Sequence, residues 1–513
     1  MTLSKTRGTD LAALIAATCL TRFEFRSHYL YDIDSVNFAL ALKRFDTTVH
    51  QPYPPGYFLY ICLGRLASLI FHNANSALVA ISIFFSCAAV AMIYVLADTW
   101  FGRGAARFAA LIFLFSPLAW FHGTVALTYI VEAFLSALVG YLCWRLDQGD
   151  IRFIVPAAVA VGVAAGFRPS SILFLAPLLL FSLRLVPRRQ AVQGIAASTL
   201  TLLAWFIPMI WITGPRAWLS SLISLWLTVP GKASIFNSSP LNSIARAATI
   251  VGICFLCFGC TILLALRTGD SPSSDIRSVD HRCKAIFTRV WIAPGLLFFT
   301  FVYLKFVNSG YLLILAPPGY AWMGLWAQNW YEKLRLSKPS RTLLIGACAA
   351  VNTTIFIFAP LYCSYREVRR FERELSNILT VLPRIAPPGE TMIVGLDSHF
   401  LGYRHAGYYL PGYLTVQFPE VQLSGMKVFA MRNQDTGLMS SIAAGSIRNF
   451  VIFPLPNDPE YSDYVARLRQ RIPPGDLHVI VQGGHEYAFG PVEDLHYLLP
   501  RTASLSLSAV PRR

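Results

Sequence analysis

Four long runs of uncharged, mostly apolar residues constrain the fold more than any other feature of this sequence. They are Ser76–Ala97, Ala191–Thr213, Ala247–Leu266 and Thr342–Tyr362. Each has about the twenty residues that an α-helix needs to cross the hydrocarbon core of a bilayer. Only 14% of the 513 residues are charged, whereas roughly a quarter are charged in soluble proteins. The sequence therefore predicts a mainly α, polytopic membrane protein.

The length and charge rules for membrane segments predict about eleven crossings. The predicted crossings lie near residues 9–24, 76–98, 107–122, 126–144, 153–167, 170–186, 191–213, 247–266, 290–305, 311–330 and 342–362. The apolar stretch Tyr57–Phe71 is shorter and contains Arg65. We expect this stretch to form a helix on the membrane surface rather than a crossing.

The distribution of lysine and arginine predicts the orientation. These residues concentrate in the loops that would share a side with the N-terminus, which favours a cytoplasmic N-terminus. The first loop, residues 25–75, and everything after Tyr362 would then lie outside the cytoplasm. The net charge of +16 reports this topology and contact with anionic lipid, so it does not indicate nucleic-acid binding.

The chain changes character from about residue 365. A charged helical segment, EVRRFERELSNILTVLPRI, is followed by the short apolar runs TMIVG, NFVIF and HVIVQ. Proline and glycine separate these runs, as is typical of strands bounded by turns. We therefore predict a transmembrane domain over residues 1–364 and a small soluble α/β domain over residues 365–513.

The first outer loop is the predicted location of the chemistry. Residues 31–56 read YDIDSVNFALALKRFDTTVHQPYPPG and contain Asp32 and Asp34. Charged groups held at a bilayer surface are costly and tend to be functional.

Three features together resemble the GT-C superfamily of membrane glycosyltransferases. They are the acidic first outer loop, the Pro54-Pro55-Gly56-Tyr57 start of a surface helix, and the crossing that ends in FGRGAARFAALIFLFSP. Protein O-mannosyltransferases and the aminoarabinose transferases of lipid A are nearest in pattern. The resemblance covers residues 10–180, and beyond them it extends only to the architecture.

The resemblance implies a polyprenyl-phosphate sugar donor and inversion at the anomeric carbon. The acceptor would be a lipid, a glycan or a protein that approaches from outside, at a bacterial inner (plasma) membrane. An acidic residue of the first outer loop serves this family as general base, and Asp34 best matches that position. The sequence departs from the common Asp-Glu pair, because Ser35 follows Asp34. The second outer loop, HGTVALTYIVEAF, offers Tyr129 and Glu132 where the family has another acidic residue.

Asp34 can remove the proton of the acceptor, a role that typically contributes about 10²–10⁴-fold to a rate. The alternative is that one or both of Asp32 and Asp34 cap the helix that follows, with Asp34 a plausible N-cap directly before SVNFALALKRF. We expect Asp32 to have a supporting or structural role. Glu132 could position a hydroxyl or complete a divalent-cation site with Asp34, or it could pair with a buried arginine or tyrosine.

Lysine and arginine are less common in loops outside the cytoplasm, so basic residues on the outer side call for an explanation. Arg168 and Lys305 lie near the outer interface, where each could bind the donor phosphate. The alternative for both is an extension of the side chain to lipid headgroups. His50 precedes the proline-rich turn and could contact substrate, although a lone loop histidine is more often solvated.

The sequence contains neither a Walker A motif nor GxGxxG, so no nucleotide cofactor is expected. No metal-ligand spacing is present, which leaves the divalent-cation requirement open. A secondary transporter or lipid flippase for a glycolipid is the alternative function. Such proteins place polar groups on broken helices and often contain internal repeats, which this sequence lacks. A polymer ligase is a third alternative, with its chemistry in a late outer loop.

Overall fold

The computed structural model describes residues 5–262, 275–334, 337–396, 399–418, 447–454, 478–482 and 485–491. The chain divides into two compact units. The helical unit comprises Met1–Ser27 and Phe45–Val368, and the sheet unit comprises His28–Arg44 and Arg369–Arg513.

Helices make up most of the described part of the helical unit. They are α1 (Lys5–Glu24), α3 (Phe58–Ala67), α4 (Ala74–Phe101), α5 (Arg103–Leu114), α6 (Pro117–His122), α7 (Tyr129–Asp147), α8 (Ile154–Phe167), α9 (Ser171–Leu183), α10 (Arg188–Thr213), α11 (Pro215–Thr228), α12 (Pro230–Ala233), α13 (Pro240–Phe258), α14 (Asp275–Phe301), α15 (Ala316–Lys333) and α16 (Lys338–Phe358). Short 3₁₀ helices cover Thr47–Val49, Ile151–Phe153, Gly259–Thr261 and Phe306–Ile314.

Within the described ranges, six helical segments are long and apolar enough to cross a membrane. They are Ala74–Phe101, Tyr129–Asp147, Arg188–Thr213, Pro240–Thr261, Val279–Phe301 and Pro339–Phe358. The shorter apolar helices are Phe58–Ala67, Ile151–Phe167 and Ser171–Leu183. These segments support a multi-pass membrane protein.

Two of the predicted crossings are not single helices. The segment 107–122 is divided between α5 and α6, and the segment 311–330 is divided between the 3₁₀ helix Phe306–Ile314 and α15. Proline contributes to both breaks, because it has no N–H and is favoured in the first turn of a helix over its interior. Pro117 begins α6, and Pro317 lies in the first turn of α15. The Ser116 side chain also caps α6 by accepting a hydrogen bond from Ala119 N–H at 3.3 Å.

The sheet unit contains α2 (Ile33–Lys43), α17 (Tyr365–Ile385, of which the last seventeen residues belong to this unit), α18 (Tyr403–Tyr409) and a five-stranded sheet. The strands are β1 (Thr391–Leu396), β2 (Leu414–Phe418), β3 (Asn449–Ile452), β4 (His478–Gln482) and β5 (His485–Pro491). Their order is β2-β1-β3-β5-β4, with β1 parallel to β2 and β3, and β5 antiparallel to β3 and β4. The runs TMIVG, NFVIF and HVIVQ are indeed strands.

The amphipathic pattern of α17 explains how this charged helix is buried. Phe371, Leu375, Ile378 and Leu382 follow the three-to-four residue spacing of one helix face, and all four are buried. Of the charged residues between them, Arg373 is exposed and Glu374 is half-buried, whereas Glu372 is buried. The prediction of a helix from this segment is therefore confirmed.

Candidate active site

A buried ion pair joins two of the predicted binding residues in the helical unit. Glu132 lies in the first turn of α7, and Arg168 follows the last residue of α8. Arg168 Nη1 lies 2.9 Å from Glu132 Oε1, and the two side chains are 5% and 3% exposed. The expectation that Arg168 extends to lipid headgroups is wrong for this reason. For Glu132, the structure shows the alternative in which it pairs with a buried arginine.

Three tyrosine rings surround the Arg168 guanidinium. The distance from Arg168 Cζ to the ring centroid is 4.1 Å for Tyr311, 4.7 Å for Tyr129 and 5.7 Å for Tyr57. A guanidinium within about 6 Å of an aromatic face is attracted by the ring quadrupole. We refer to Tyr57, Tyr129, Glu132, Arg168 and Tyr311 as the arginine cluster.

The arginine cluster contains a buried guanidinium that is paired with a carboxylate on one side. A guanidinium has five N–H donors, and in the described part of the chain its one hydrogen-bond partner is Glu132. Donors on a planar guanidinium match the oxygen atoms of a phosphate. Aromatic rings beside them provide apolar faces against which a sugar ring can pack.

A close backbone approach brings Tyr311 to α7. A Cβ atom added at Gly310 would lie 2.4 Å from Tyr129 Cγ, so only glycine fits between the 3₁₀ helix Phe306–Ile314 and α7. Ser136, one to two turns further along α7, fixes the same contact by donating to Ile314 O at 2.5 Å.

Sequence reasoning missed three residues of this region, namely Tyr57, Tyr311 and His122. His122 ends α6, and its ring centroid lies 4.8 Å from that of Tyr129. One indication of His122 was present in the sequence, because it is the first residue of the predicted second outer loop, HGTVALTYIVEAF. Tyr57 and Tyr311 lie far from Arg168 in sequence, so no local pattern could reveal them.

The structure places the other two predicted binding residues elsewhere in the helical unit. The ring centroid of His50 lies 4.4 Å from that of Tyr53, in the proline-rich turn, and His50 has a left-handed backbone with φ of 60°. Lys305 is exposed and immediately precedes the 3₁₀ helix Phe306–Ile314. The arginine cluster thus brings together Tyr129, Glu132 and Arg168, but not these two.

The predicted catalytic aspartates lie at the start of α2, in the sheet unit. Asp32 is the N-cap, because its Oδ1 accepts the Asp34 N–H at 2.8 Å. Asp34 lies in the first turn and is half-buried. The alternative that one of the two aspartates caps the helix is therefore confirmed for Asp32 and wrong for Asp34, because the extended backbone that a cap requires occurs at Asp32.

Residues from the C-terminal part of the chain hold the segment before these aspartates. The Leu30 N–H donates to the Tyr409 hydroxyl at 2.8 Å, and the Leu30 carbonyl oxygen lies 3.1 Å from His405 Nε2. Burial lowers the pKa of His405 to about 4, so the ring is neutral and donates to that carbonyl. The Ile33 N–H donates to His399 O at 2.9 Å.

Asp32→Asn is expected to remove a pH dependence of stability. Burial raises the pKa of the Asp32 carboxyl from 3.8 to about 7, against the opposing effect of the Asp34 N–H. The folded state therefore retains this proton more strongly than the unfolded state, so the resulting stabilisation is fully present below about pH 4 and is lost as the pH rises from there through 7. Asparagine caps a helix equally well. The variant should melt with wild type at or just below about pH 4, where the carboxyl is largely protonated in both states, and about 2 °C or more above it at pH 8.

Thermal melting in detergent between about pH 4 and pH 8 checks this expectation. Asp46→Asn is the matched control, because Asp46 caps the 3₁₀ helix Thr47–Val49 but is only half-buried. Parallel melting curves for wild type and Asp32→Asn across this range would contradict the assignment.

Within the described residues, no three histidine, cysteine, aspartate or glutamate side chains converge in a metal-ligand group. The expectation that Glu132 completes a divalent site therefore has no support from this geometry, in which Glu132 pairs with Arg168.

Comparison with known proteins places this geometry in context. Residues 45–190 match the family described as the protein O-mannosyl-transferase TMEM260 N-terminal domain. This range includes four of the five residues of the arginine cluster. No curated protein matches the chain.

The fold is shared with a solved aminoarabinose-transferase-type structure, ArnT from Cupriavidus metallidurans. The apo structure has a TM-score of 0.57 at 12% sequence identity, covering 94% of this chain and 97% of that chain. The structure bound to undecaprenyl phosphate has a TM-score of 0.56 at 10% identity, covering 95% and 98%. The family match and the shared fold confirm the predicted resemblance to the GT-C superfamily of membrane glycosyltransferases.

Proposed function

We propose that this protein transfers a sugar from a polyprenyl-phosphate-linked donor to an acceptor hydroxyl on the periplasmic side of the membrane, with inversion. The observation that carries the proposal is the arginine cluster. It is a buried cation ringed by three tyrosines, in a segment that matches a glycosyltransferase domain.

The reaction exchanges one carbon–oxygen bond for another. The acceptor oxygen attacks the anomeric carbon from the face opposite the phosphate, and its proton passes to the Asp34 carboxylate. The bond between the anomeric carbon and the phosphate oxygen breaks, and its electron pair leaves with the polyprenyl phosphate. Attack from the opposite face inverts the anomeric configuration.

Asp34 is proposed as the base because it is half-buried and is not the helix cap. Asp32 has a supporting role, since its carboxylate fixes the first turn in which Asp34 lies. A positioned carboxylate acts as a general base when it is within hydrogen-bond reach of the proton that it removes.

Arg168 is proposed to bind the donor phosphate through its remaining N–H groups, with Glu132 holding the guanidinium in orientation. Tyr129 would contact the sugar. Lys305, an exposed point charge, and His50, beside the proline-rich turn, are proposed as further substrate contacts. The undecaprenyl phosphate in the ArnT complex supports this class of donor.

The proposed location is a bacterial inner membrane, with eleven crossings, a cytoplasmic N-terminus and residues 365–513 in the periplasm. The six candidate spans and the shorter apolar helices of the described residues support several crossings. The lysine and arginine distribution supports the orientation.

A transfer assay with purified protein tests the proposed function. Undecaprenyl phosphates that carry single hexoses or pentoses are incubated with membrane lipid and protein acceptors in proteoliposomes. We expect one donor to release free undecaprenyl phosphate as its sugar appears on an acceptor with the opposite anomeric configuration. A transporter or flippase would instead move the glycolipid across the vesicle membrane without forming a glycosidic product, and that result would overturn the proposal.

A further inference from the structure

His122 is a buried side chain for which the proposed function has no role so far. It is 1% exposed, and within the described residues neither of its ring nitrogens has a hydrogen-bond partner. The backbone around it is satisfied, because the following Gly123 N–H donates to the carbonyl oxygens of Ala119 and Trp120. The unsatisfied side-chain atoms of His122 are the two ring nitrogens of its imidazole.

Packing fixes the position of this ring. The Phe121 and Tyr129 rings contact it edge-on, with centroid distances of 4.9 Å and 4.8 Å. On another side, a Cβ atom added at Gly310 would lie 2.7 Å from His122 Cε1. The imidazole is thus held on several sides by groups that leave its nitrogens without partners.

Tyr129 links His122 to the arginine cluster. The same tyrosine ring lies 4.8 Å from the His122 ring and 4.7 Å from Arg168 Cζ. A ligand that reaches His122 would therefore lie close to the proposed phosphate-binding cation.

Buried polar atoms in native proteins almost always have a hydrogen-bond partner, so an exception calls for a ligand or an ordered water. A neutral imidazole has one donor and one acceptor. A phosphate oxygen accepts but does not donate, so it would leave one ring nitrogen unsatisfied. Hydroxyl groups both donate and accept, and they therefore complement both nitrogens of His122.

We infer that His122 binds the hydroxyl groups of the transferred sugar and so takes part in donor selection. This inference rests on the proposed function, which it deepens by assigning a sugar contact separate from the phosphate contact at Arg168. His122 is a binding residue here and takes no proton from the reacting atoms.

Two ligands separate a sugar contact from a phosphate contact. Dissociation constants are measured in nanodiscs for the undecaprenyl-phosphate sugar that wild type uses as donor and for undecaprenyl phosphate alone. We expect His122→Phe to weaken binding of the sugar lipid by about ten-fold and to leave binding of the bare lipid unchanged. His122→Gln keeps a donor and an acceptor and should recover part of the affinity.

The melting temperature without ligand tests whether His122 has a purely structural role, because loss of such a role would lower it. Phenylalanine replaces two unsatisfied polar groups by apolar atoms of similar shape, so His122→Phe should melt no lower than wild type. If that variant fails to fold, His122→Gln and His122→Asn are compared on the same two ligands.

Each outcome decides the inference. Unchanged affinity of the folded variants for the sugar lipid overturns it, and so does an equal loss for both lipids, which would indicate a phosphate contact. If wild type transfers sugar from none of the lipid-linked donors, the proposed function fails together with this inference. If wild type transfers sugar and His122→Phe retains the wild-type preference for the sugar lipid over the bare lipid, only this inference fails.

Discussion

Asp34→Asn is expected to lower the rate of sugar transfer by about 10²–10⁴-fold, the usual contribution of a positioned general base. Asparagine has nearly the same shape but cannot take the acceptor proton at neutral pH. The helix should be unaffected, because the cap of α2 is Asp32 and not Asp34. The measurement is the turnover number with the donor that wild type uses, under saturating acceptor.

Two controls separate lost chemistry from lost structure. The affinity for undecaprenyl phosphate and the melting temperature of Asp34→Asn should equal those of wild type, so that the effect is confined to kcat. Asp46→Asn removes a carboxylate from the same outer loop and should retain transfer. A turnover number for Asp34→Asn within a factor of three of wild type would remove Asp34 from the proposed mechanism.

Glu132→Gln is expected to destabilise the protein by about 3–5 kcal/mol, because removal of one partner leaves a buried charge without compensation. Arg168 retains only a few per cent of its exposed surface, so water cannot replace the lost carboxylate. Arg168→Gln should have an effect of similar size for the same reason. Denaturation in detergent measures these changes.

The double variant Glu132→Gln/Arg168→Gln tests whether the two charges act as a pair. We expect it to recover much of the loss, because neither charge remains buried alone. Arg152→Gln is the matched control, since Arg152 also forms an ion pair at 2.9 Å, with Asp150, but its side chain is 82% exposed. Its melting temperature should not change measurably. Additive effects of the two single substitutions would show that Glu132 and Arg168 are not coupled.

The local patterns of the sequence predicted much of the fold. The predicted strands at TMIVG, NFVIF and HVIVQ correspond to β1, β3 and β4, because short apolar runs between turn residues have few other structures available. At residues 107–122 and 311–330, where hydropathy predicted crossings, the chain instead forms two helical elements in each segment. Pro117 and Pro317, in the first turns of α6 and α15, were visible in the sequence. The high hydropathy of these segments nevertheless favoured uninterrupted helices.

The candidate site was only partly predictable for a different reason. Asp34 could be proposed because it lies in a loop that resembles a known family, but the sequence could not decide whether Asp32 or Asp34 caps α2. Both are good capping residues by type, and the choice depends on where the backbone turns from extended to helical.

The sequence by itself determined the membrane-spanning character of the chain, the small sheet near its C-terminus and the family resemblance. These follow from hydrophobic length, local periodicity and short motifs, all of which are read along the chain. Only the tertiary structure decided that Arg168 pairs with Glu132, that the Tyr311 ring lies against Arg168, and that Leu30 is held by His405. Those residues are 36 to 375 positions apart, and packing between separate elements, which no local period encodes, brings them together.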